Sequence, residues 1–255
     1  MIDVIVCGCR GKMGREVIQC SKGFENLRIA GGIDRNGEKC EEFPIFISPS
    51  DVNIKCDVVI DFSGISALEP LLECCQKRNI SLVLCVTGYS KEQHDIIRNA
   101  AKNIAVFVSS NMSFAVNLMA SLARLAKSVL GKRFDVEIIE KHHRNKIDAP
   151  SGTALMLAES VSENGTQIVF DRHERGARKS NEIGISSVRG GDIPGEHEII
   201  FAGEGETLTL CHVATDRKIF AQGALEAAVF LQNQKPGLYN YENFFHNSLD
   251  SSVLV

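Results

Sequence analysis

The residues best equipped for chemistry lie in one stretch, which runs from Glu140 to Thr153 and reads Glu-Lys-His-His-Arg-Asn-Lys-Ile-Asp-Ala-Pro-Ser-Gly-Thr. Its adjacent histidines, His142 and His143, and its lysine Lys146 can donate or accept a proton during catalysis. A lone histidine is more often structural than catalytic, and a cluster of cations is usually a solvated surface. Their combination in one short segment favours a functional site over both alternatives.

Two secondary-structure elements must position these side chains. Residues 134–139 predict a strand, and residues 154–161 have the apolar spacing of an amphipathic helix. Pro150 suits the first helical position, with Asp148 or Ala149 as the cap. The next amides would then lack a helical acceptor, so with the helix dipole they would bind an anion. We predict a carboxylate or phosphate site beside a proton donor, with the anion held by Ser151, Gly152 and Thr153.

Length and composition are those of an ordinary soluble globular protein. The chain has 255 residues, which exceeds the usual size of one domain and predicts two. Hydrophobic residues make up 44% and charged residues 24%. The formal net charge of −4 gives no reason to expect a nucleic-acid or membrane partner, and no apolar run approaches the ~20 residues of a membrane helix. The first residues lack the features of a signal peptide, so we expect a cytoplasmic protein.

The nine cysteines could indicate a metal site or disulfides. However, the sequence contains no Cys-x-x-Cys, an odd number cannot pair fully, and most of the cysteines lie in apolar segments. They are better explained as small hydrophobic residues in a reducing compartment. The histidines show no spacing typical of metal ligands, so we predict no metal.

A glycine-rich loop follows the first apolar run. Residues 2–7 predict a buried parallel strand, the loop reads Gly8-Cys-Arg-Gly11-Lys-Met-Gly14, and a helical stretch comes next. This order is typical of a dinucleotide-binding unit. Gly8 would make the tight turn, Gly11 would admit a pyrophosphate, and Gly14 would let the helix pack on the strand. Because Arg10 replaces the second glycine of the usual motif, a plain glycine turn is the alternative.

The end of the next strand favours the dinucleotide. Residues 27–33 predict a strand that ends at Asp34 and Arg35, roughly 20 residues past the glycine loop. An acid at this place hydrogen-bonds a ribose hydroxyl, and an adjacent arginine can hold a 2′-phosphate. We therefore expect either NADH or NADPH as cofactor, the alternative being an exposed polar pair at a strand end.

Strands and helices alternate through the first part of the chain. Strands are predicted over 57–62, 81–86 and 104–108, and helices over 67–78 and 91–102. This alternation predicts an α/β fold with a Rossmann-like doubly wound parallel sheet, whose ligands bind beyond the carboxyl ends of the strands. Ordinary loop chemistry is the alternative for the residues at that edge, which are Phe62, Ser63, Cys85, Val86, Thr87, Ser109, Ser110, Asn111 and Met112.

The second part of the chain predicts an α+β domain with a mostly antiparallel or mixed open sheet. A long helix over 113–130 precedes the central stretch. Strand-like pieces separated by glycines follow at 183–189, 196–201 and 206–213.

The remaining segments complete the predicted organisation. The charged residues 172–182 predict a mobile or intersubunit loop, and a last helix over 218–232 leads to a tail that returns to the first domain. We expect a dinucleotide-binding domain of residues 1–112 and 219–255, and a second domain of residues 113–218.

The stretch from Glu140 to Ala154 resembles the signature of the 4-hydroxy-tetrahydrodipicolinate reductase family, also called dihydrodipicolinate reductase. The resemblance implies an oxidoreductase that reduces a cyclic dicarboxylate imine with NADH or NADPH in diaminopimelate and lysine biosynthesis. It covers nearly the whole chain, because further segments match in the right order: Gly8-x-x-Gly11-Lys-Met-Gly14, Asp61-Phe-Ser63, Asn111, and Val188 to His197.

The family pattern also implies roles for individual residues. His142 would be the acid/base residue and Lys146 a proton donor. His143, Lys146, Gly152 and Thr153 would contact the substrate, and the helix-start argument adds Ser151. A homotetramer joined through the sheet of the second domain is implied as well, which makes that domain the substrate-binding and oligomerisation domain. The expected cofactor-binding residues are Gly8, Cys9, Arg10, Gly11, Lys12, Met13, Asp34, Arg35, Phe62, Cys85, Val86, Thr87, Ser109, Ser110, Asn111 and Met112.

The chain departs from the family pattern at a few positions. It has Cys85-Val-Thr-Gly88 where the family usually has Gly-Thr-Thr-Gly, Ser63-Gly-Ile65 where Thr-Arg-Pro is frequent, and Asp34 where Glu is common. The alternatives are a different nicotinamide-dependent reductase of an amino-acid pathway and a dinucleotide sensor without turnover. The tandem histidines argue against the first, and the proton donor Lys146 argues against the second.

Overall fold

The computed structural model describes residues 1–37, 42–172 and 176–252. The chain folds as two units, one of Met1–Phe114 and Arg217–Val255 and one of Ala115–Asp216. Cys40 and the middle of the charged loop expected over 172–182 lie outside the described residues.

The strands and helices follow one another along both units. The strands are β1 (Ile2–Cys7), β2 (Leu27–Ile33), β3 (Ile45–Phe46), β4 (Val58–Asp61), β5 (Ser81–Leu84), β6 (Ala105–Val108), β7 (Asp135–His142), β8 (Gln167–Phe170), β9 (Glu182–Arg189), β10 (Gly195–Ala202), β11 (Thr207–Ala214) and β12 (Gly237–Tyr239). The helices are α1 (Lys12–Ser21), α2 (Leu68–Arg78), α3 (Lys91–Ala100), α4 (Phe114–Leu130), α5 (Gly152–Ser160), α6 (Lys218–Leu231) and α7 (Tyr241–Ser252).

The first unit is built on a parallel sheet with the strand order β12-β6-β5-β4-β1-β2-β3. Helices α1 and α6 cover one face, and α2 and α3 cover the other. Because both faces are covered, every residue of β1 is buried, as its continuous apolar run predicts. The predicted Rossmann-like doubly wound sheet is confirmed. The short strands β3 and β12 were not predicted, since two or three residues show no periodicity.

The tail of the chain holds the segment that follows β6. Strand β12 pairs with β6, and the Tyr241 hydroxyl donates a hydrogen bond to the Met112 carbonyl at 2.8 Å. Gly223 of α6 lies against the same carbonyl, where a Cβ atom would clash. The end of β6 is thereby fixed by three elements from the far end of the sequence: α6, β12 and α7.

The second unit contains a sheet with the strand order β11-β10-β7-β9-β8. Strand β10 is antiparallel to both β11 and β7, whereas β7, β9 and β8 are parallel to one another. The sheet is therefore mixed, and the prediction of a mostly antiparallel or mixed open sheet is confirmed in its second form. The reason is the connection through α5 and β8, a crossover that brings the chain back parallel to β7.

The strand and the helix on either side of the loop that carries His143 and Lys146 have other bounds than predicted. Strand β7 continues to His142 instead of ending at Ile139. Helix α5 begins at Gly152 with Ser151 as its cap, so the placement of Pro150 at the first helical position is wrong. The Ser151 side chain accepts a hydrogen bond from the Ala154 amide at 3.2 Å, which makes serine the better cap. Strand β8, between α5 and β9, was not predicted.

Helix α4 packs one side against the second unit's sheet. Met119, Ala120 and Ala123 join the buried core cluster of this sheet. Among the described residues, the segment Phe114–Arg133 is long and apolar enough to cross a membrane, judged by length and composition alone. The expectation that no apolar run reaches this length is wrong for this segment. Core helices of soluble proteins can have the same length and composition.

Candidate active site

Glu140 and His142 lie on the buried face of β7. Residues of β7 alternate between buried and partly exposed positions, so these two side chains point the same way. His142 Nδ1 lies 2.6 Å from Glu140 Oε2. Glu140 is fully buried, and His142 is 9% exposed. A carboxylate and an imidazole are thus paired in a site that water reaches only at its edge.

Arg189 neutralises this buried carboxylate. Its Nη1 donates to Glu140 Oε2 at 2.8 Å, and its Nη2 donates to Oε1 at 2.7 Å. The parallel register of β7 and β9 places Arg189 beside His142. Burial alone would raise the pKa of Glu140, but hydrogen bonds, that of Arg189 foremost, lower it to about 2. Glu140 is therefore ionised at neutral pH and acts only as an acceptor.

The ionised carboxylate determines the protonation of the imidazole. Because Glu140 can only accept, the hydrogen between it and His142 belongs to Nδ1 of the neutral ring. Burial lowers the pKa of His142, while the hydrogen bond to Glu140 opposes that shift. The other ring nitrogen, Nε2, lies over Gly195, where a Cβ atom would come within 3.1 Å. Nε2 is therefore the ring nitrogen that can accept a proton.

A second histidine, His197, packs against the first. The ring centroids of His142 and His197 are 5.1 Å apart, with the planes at 74°. His197 Nε2 lies 2.9 Å from the Ser151 hydroxyl oxygen. Burial lowers the pKa of His197 to about 4, so this ring is neutral at physiological pH. His197 therefore links the histidine pair to the start of α5.

Glu140 and His197 also hold the start of α5. The Ser151 amide donates to Glu140 Oε1 at 3.1 Å, so it does not point outward as predicted. Ser151 is 2% exposed, and its hydroxyl is engaged with His197 and the Ala154 amide. Gly152 is exposed, and no described atom lies within 4 Å of the place a Cβ would occupy. Thr153 follows it and is half-buried.

The loop between β7 and α5 carries the remaining predicted residues of this unit. His143 is half-buried, and its carbonyl accepts a hydrogen bond from the Lys146 amide at 3.1 Å. Lys146 Nζ donates to Asp148 Oδ1 at 2.8 Å. The Lys146 ammonium is near enough to contribute to the lowered pKa of His142. The structure therefore brings the basic loop to the imidazole.

In the first unit, the glycine loop borders a cavity of about 530 Å³. Gly8 has φ +76°, and a Cβ there would lie 2.9 Å from the Phe62 carbonyl oxygen. Helix α1 begins at Lys12 with Gly11 as its cap, which aims its first amides toward the loop. This backbone cradle and helix start fit a dinucleotide pyrophosphate. The predicted cofactor residues that line the cavity are Gly8, Gly11, Asp34, Arg35 and Phe62.

Asp34 and Arg35 are held in place at the end of β2. Asp34 Oδ2 accepts from the Arg10 amide at 3.1 Å, and Oδ1 accepts from the Asn36 amide at 3.2 Å. Arg35 Nη2 donates to the Ser66 hydroxyl at 2.7 Å. The carboxylate and the guanidinium line the same cavity, as needed for a ribose and its phosphate.

The other predicted cofactor residues lie outside the lining of this cavity. The Cys9 and Cys85 side chains are buried. The Ser109 hydroxyl donates to the Asn111 carbonyl at 2.6 Å, which shapes the turn after β6. The predicted cofactor residues that do not line this cavity are Cys9, Arg10, Lys12, Met13, Cys85, Val86, Thr87, Ser109, Ser110, Asn111 and Met112.

Within the described parts of the chain, no group of three or more potential ligands is arranged to hold a metal ion.

Comparison with known proteins covers both units. A family model described as dihydrodipicolinate reductase, N-terminus, matches residues 2–112, and one described as dihydrodipicolinate reductase, C-terminus, matches residues 115–245. The chain belongs to the dihydrodipicolinate reductase family. The resemblance found in the sequence is thereby confirmed.

Curated members of the family are similar along nearly their whole length. The 4-hydroxy-tetrahydrodipicolinate reductase of Clostridium tetani is 43% identical over 95% of this chain and 96% of its own. That of Clostridium novyi is 44% identical over 95% and 98%. A solved structure, dipicolinate-bound dihydrodipicolinate reductase from Paenisporosarcina sp. TG-14, matches with TM-score 0.80 and 30% identity, over 94% of this chain and 97% of that one.

Three residues of this site were given no role in the sequence analysis. Glu140 and His197 are buried polar residues inside strands, and Arg189 ends a strand. The available signal was their position: a charged or imidazole side chain at an inward place in a strand needs a partner. Their pairing across β7, β9 and β10 required the sheet register.

Proposed function

We propose that this chain reduces 4-hydroxy-tetrahydrodipicolinate to tetrahydrodipicolinate with hydride from NADH or NADPH, in diaminopimelate and lysine biosynthesis. The observation that carries the proposal is the Glu140-bound imidazole of His142 beside the start of α5, in a chain of this family. The dipicolinate of the related Paenisporosarcina structure is a flat diacid, the ligand chemistry that a helix start and a basic loop would hold.

His142 and Lys146 supply the proton chemistry in this proposal. A hydride added to a conjugated imine leaves an electron pair that a proton must take up, and the bound nicotinamide is the hydride source. His142 Nε2, when protonated, is the general acid, and the Lys146 ammonium is a second donor nearby. The neutral resting ring must therefore gain a proton before each reduction.

The substrate carboxylates are assigned to the start of α5 and to the loop before it. The amides of Gly152 and Thr153 and the cations of the loop offer donors to carboxylate oxygens. Ser151, being buried and engaged, contributes by shaping this start rather than through its hydroxyl. The proposed substrate-binding residues are His143, Lys146, Ser151, Gly152 and Thr153.

The dinucleotide is assigned to the first unit. The glycine loop and the start of α1 would hold the pyrophosphate, the Asp34 carboxylate a ribose hydroxyl, and the Arg35 guanidinium a 2′-phosphate when NADPH is bound. Gly8 supports this assignment. It has no Cβ atom, so the loop backbone can lie close to Phe62 and still line the cavity.

A homotetramer joined through the second unit's sheet is the proposed assembly. The sheet face opposite α4 and α5 carries Val188 and Val213, which are 44% and 52% exposed, together with the half-buried Ile139 and Ile200. Apolar side chains on an uncovered sheet face are suited to packing against another copy. We further propose a cytoplasmic location with no nucleic-acid or membrane partner, since no disulfide joins the cysteines that the structure describes.

The decisive experiment combines turnover with binding. Loss of the near-ultraviolet absorbance of NADH or NADPH is followed with freshly generated substrate, and each dinucleotide is titrated with and without pyridine-2,6-dicarboxylate. We expect oxidation with both dinucleotides and tighter dinucleotide binding in the presence of the diacid. Dinucleotide binding without oxidation would point to a sensor, and a diacid without effect would contradict the substrate assignment.

A further inference from the structure

We infer that Glu140 is a positioning residue that aligns the proton donor His142 with the anion-binding start of α5 through one buried carboxylate. The inference rests on the proposed function of His142 and deepens it. Glu140 itself is fully buried and therefore does not touch the substrate. Its effect on the reaction would pass through the groups that it holds.

The carboxylate is bonded on both oxygens. Oε2 faces His142 Nδ1 at 2.6 Å and accepts from Arg189 Nη1 at 2.8 Å. Oε1 accepts from the Ser151 amide at 3.1 Å and from Arg189 Nη2 at 2.7 Å. The donors come from three separate segments: β7, the cap of α5 and the end of β9. A shift of this one group would therefore move the imidazole and the helix start together.

Arg189 is the second half of this device. A buried carboxylate without a cation would take up a proton or destabilise the fold. The bidentate Arg189 contact keeps Glu140 ionised, which leaves it an acceptor only and fixes the hydrogen on His142 Nδ1. Arg189 Nη2 also donates to the Asp148 carbonyl at 2.7 Å, so the pair reaches into the loop that carries Lys146.

The charges around His142 predict opposite effects for the two partners. The groups that face it are Glu140 on its own strand, Arg189 on β9, His197 on β10, and Lys146 with its partner Asp148 in the loop. Glu140 raises the pKa of His142, whereas Arg189 lowers it. Removing the Glu140 charge should therefore lower the pKa of His142, and removing the Arg189 charge should raise it.

The test compares the pH dependence of kcat/KM in Glu140→Gln and Arg189→Gln. Because His142 must be protonated to donate, activity falls as the pH rises through its pKa. We expect this fall to move to lower pH in Glu140→Gln and to higher pH in Arg189→Gln. The kcat of Glu140→Gln should drop about 10- to 100-fold, as when a carboxylate that orients a functional histidine is lost. Glu159→Gln, an exposed acid on α5, is the matched control and should leave the profile unchanged.

A measurement on the wild-type enzyme keeps the inference testable if a variant does not fold. The ¹⁵N chemical shifts of the His142 ring, assigned by comparison with His142→Gln, distinguish the two neutral tautomers. We expect hydrogen on Nδ1 and a bare Nε2 at neutral pH. Hydrogen on Nε2 would overturn the inference.

The remaining outcomes separate the inference from the proposed function. A slow His142→Gln together with a normal Glu140→Gln would reject only the positioning role. A normal His142→Gln would reject the proposed role of His142 itself. Equal losses in Glu140→Gln and Arg189→Gln with unmoved pH profiles would indicate a purely structural pair and would also overturn the inference.

Discussion

His142 and His197 meet edge to face, with ring centroids 5.1 Å apart. Two imidazolium ions at this separation would repel each other in a poorly solvated place. The structure avoids this by burying His197 more deeply, which lowers its pKa to about 4. The more accessible His142 is therefore the member of the pair that gains a proton more readily.

Replacing His142 should slow the chemical step more than binding. We expect His142→Gln to lower kcat by ~10²–10⁴-fold, the usual loss on removing an acid/base group, with little change in dinucleotide affinity. Steady-state kinetics and dinucleotide titration check this. His94→Gln on α3, an exposed histidine, is the control. An unchanged kcat in His142→Gln would remove this residue from the mechanism.

Burial of neutral His197 should make stability depend on pH. Its pKa in the folded protein, about 4, lies below the ordinary histidine pKa of 6.5, so the unfolded chain binds more protons between these values. The free energy of unfolding should therefore fall by up to about 3 kcal/mol as the pH drops from 6.5 towards 4. Urea unfolding across this range measures it. His197→Asn should show a weaker acid dependence, and an identical one would contradict the assignment.

Arg35 should discriminate between the two dinucleotides. Loss of a hydrogen bond to a charged group costs ~1.5–3 kcal/mol, so Arg35→Ala should weaken NADPH about 10- to 100-fold and NADH much less. Fluorescence titration of both dinucleotides gives the ratio. Ser66→Ala removes only the hydroxyl that holds the guanidinium and should have a smaller effect. Equal losses for NADH and NADPH in Arg35→Ala would refute the 2′-phosphate assignment.

Two glycines beside the cofactor cavity should respond differently to alanine. Gly8 has φ +76° and lacks room for a Cβ, so Gly8→Ala should lower the free energy of unfolding by about 1–2 kcal/mol or more. Gly64 has φ −177°, and no described atom lies within 4 Å of its Cβ position. Gly64→Ala should therefore be nearly neutral in urea unfolding. Similar losses in both variants would show that backbone conformation is not the cause.

Local patterns in the sequence were sufficient for the first unit. Continuous apolar runs, such as Ile2–Cys7, predicted buried parallel strands, and the glycine loop before α1 predicted the tight turn at Gly8. These signals are local because each strand and the following turn form one contiguous segment. The family identification and the Rossmann-like sheet rested on such contiguous segments, and both are confirmed.

The candidate site was only partly predictable. The His142–Lys146 segment was visible because its residues are adjacent, but Arg189 reaches Glu140 from a strand 49 residues away in sequence. Such a contact depends on sheet register, and the crossover that makes β9 parallel to β7 was not predicted. The predicted start of α5 was wrong for a related reason. The Ser151 amide is bound by the Glu140 carboxylate, a contact that local sequence does not reveal.

The alternation along β7 limits how the gene for this enzyme can change. Glu140 and His142 face inward while Lys141 between them faces outward, where it bonds Glu196. Deleting or inserting one residue upstream in the strand would drive Lys141 into the buried site and expel both of its neighbours. Single substitutions leave the inward and outward positions of β7 unchanged. An insertion or deletion keeps those positions only if it adds or removes an even number of residues.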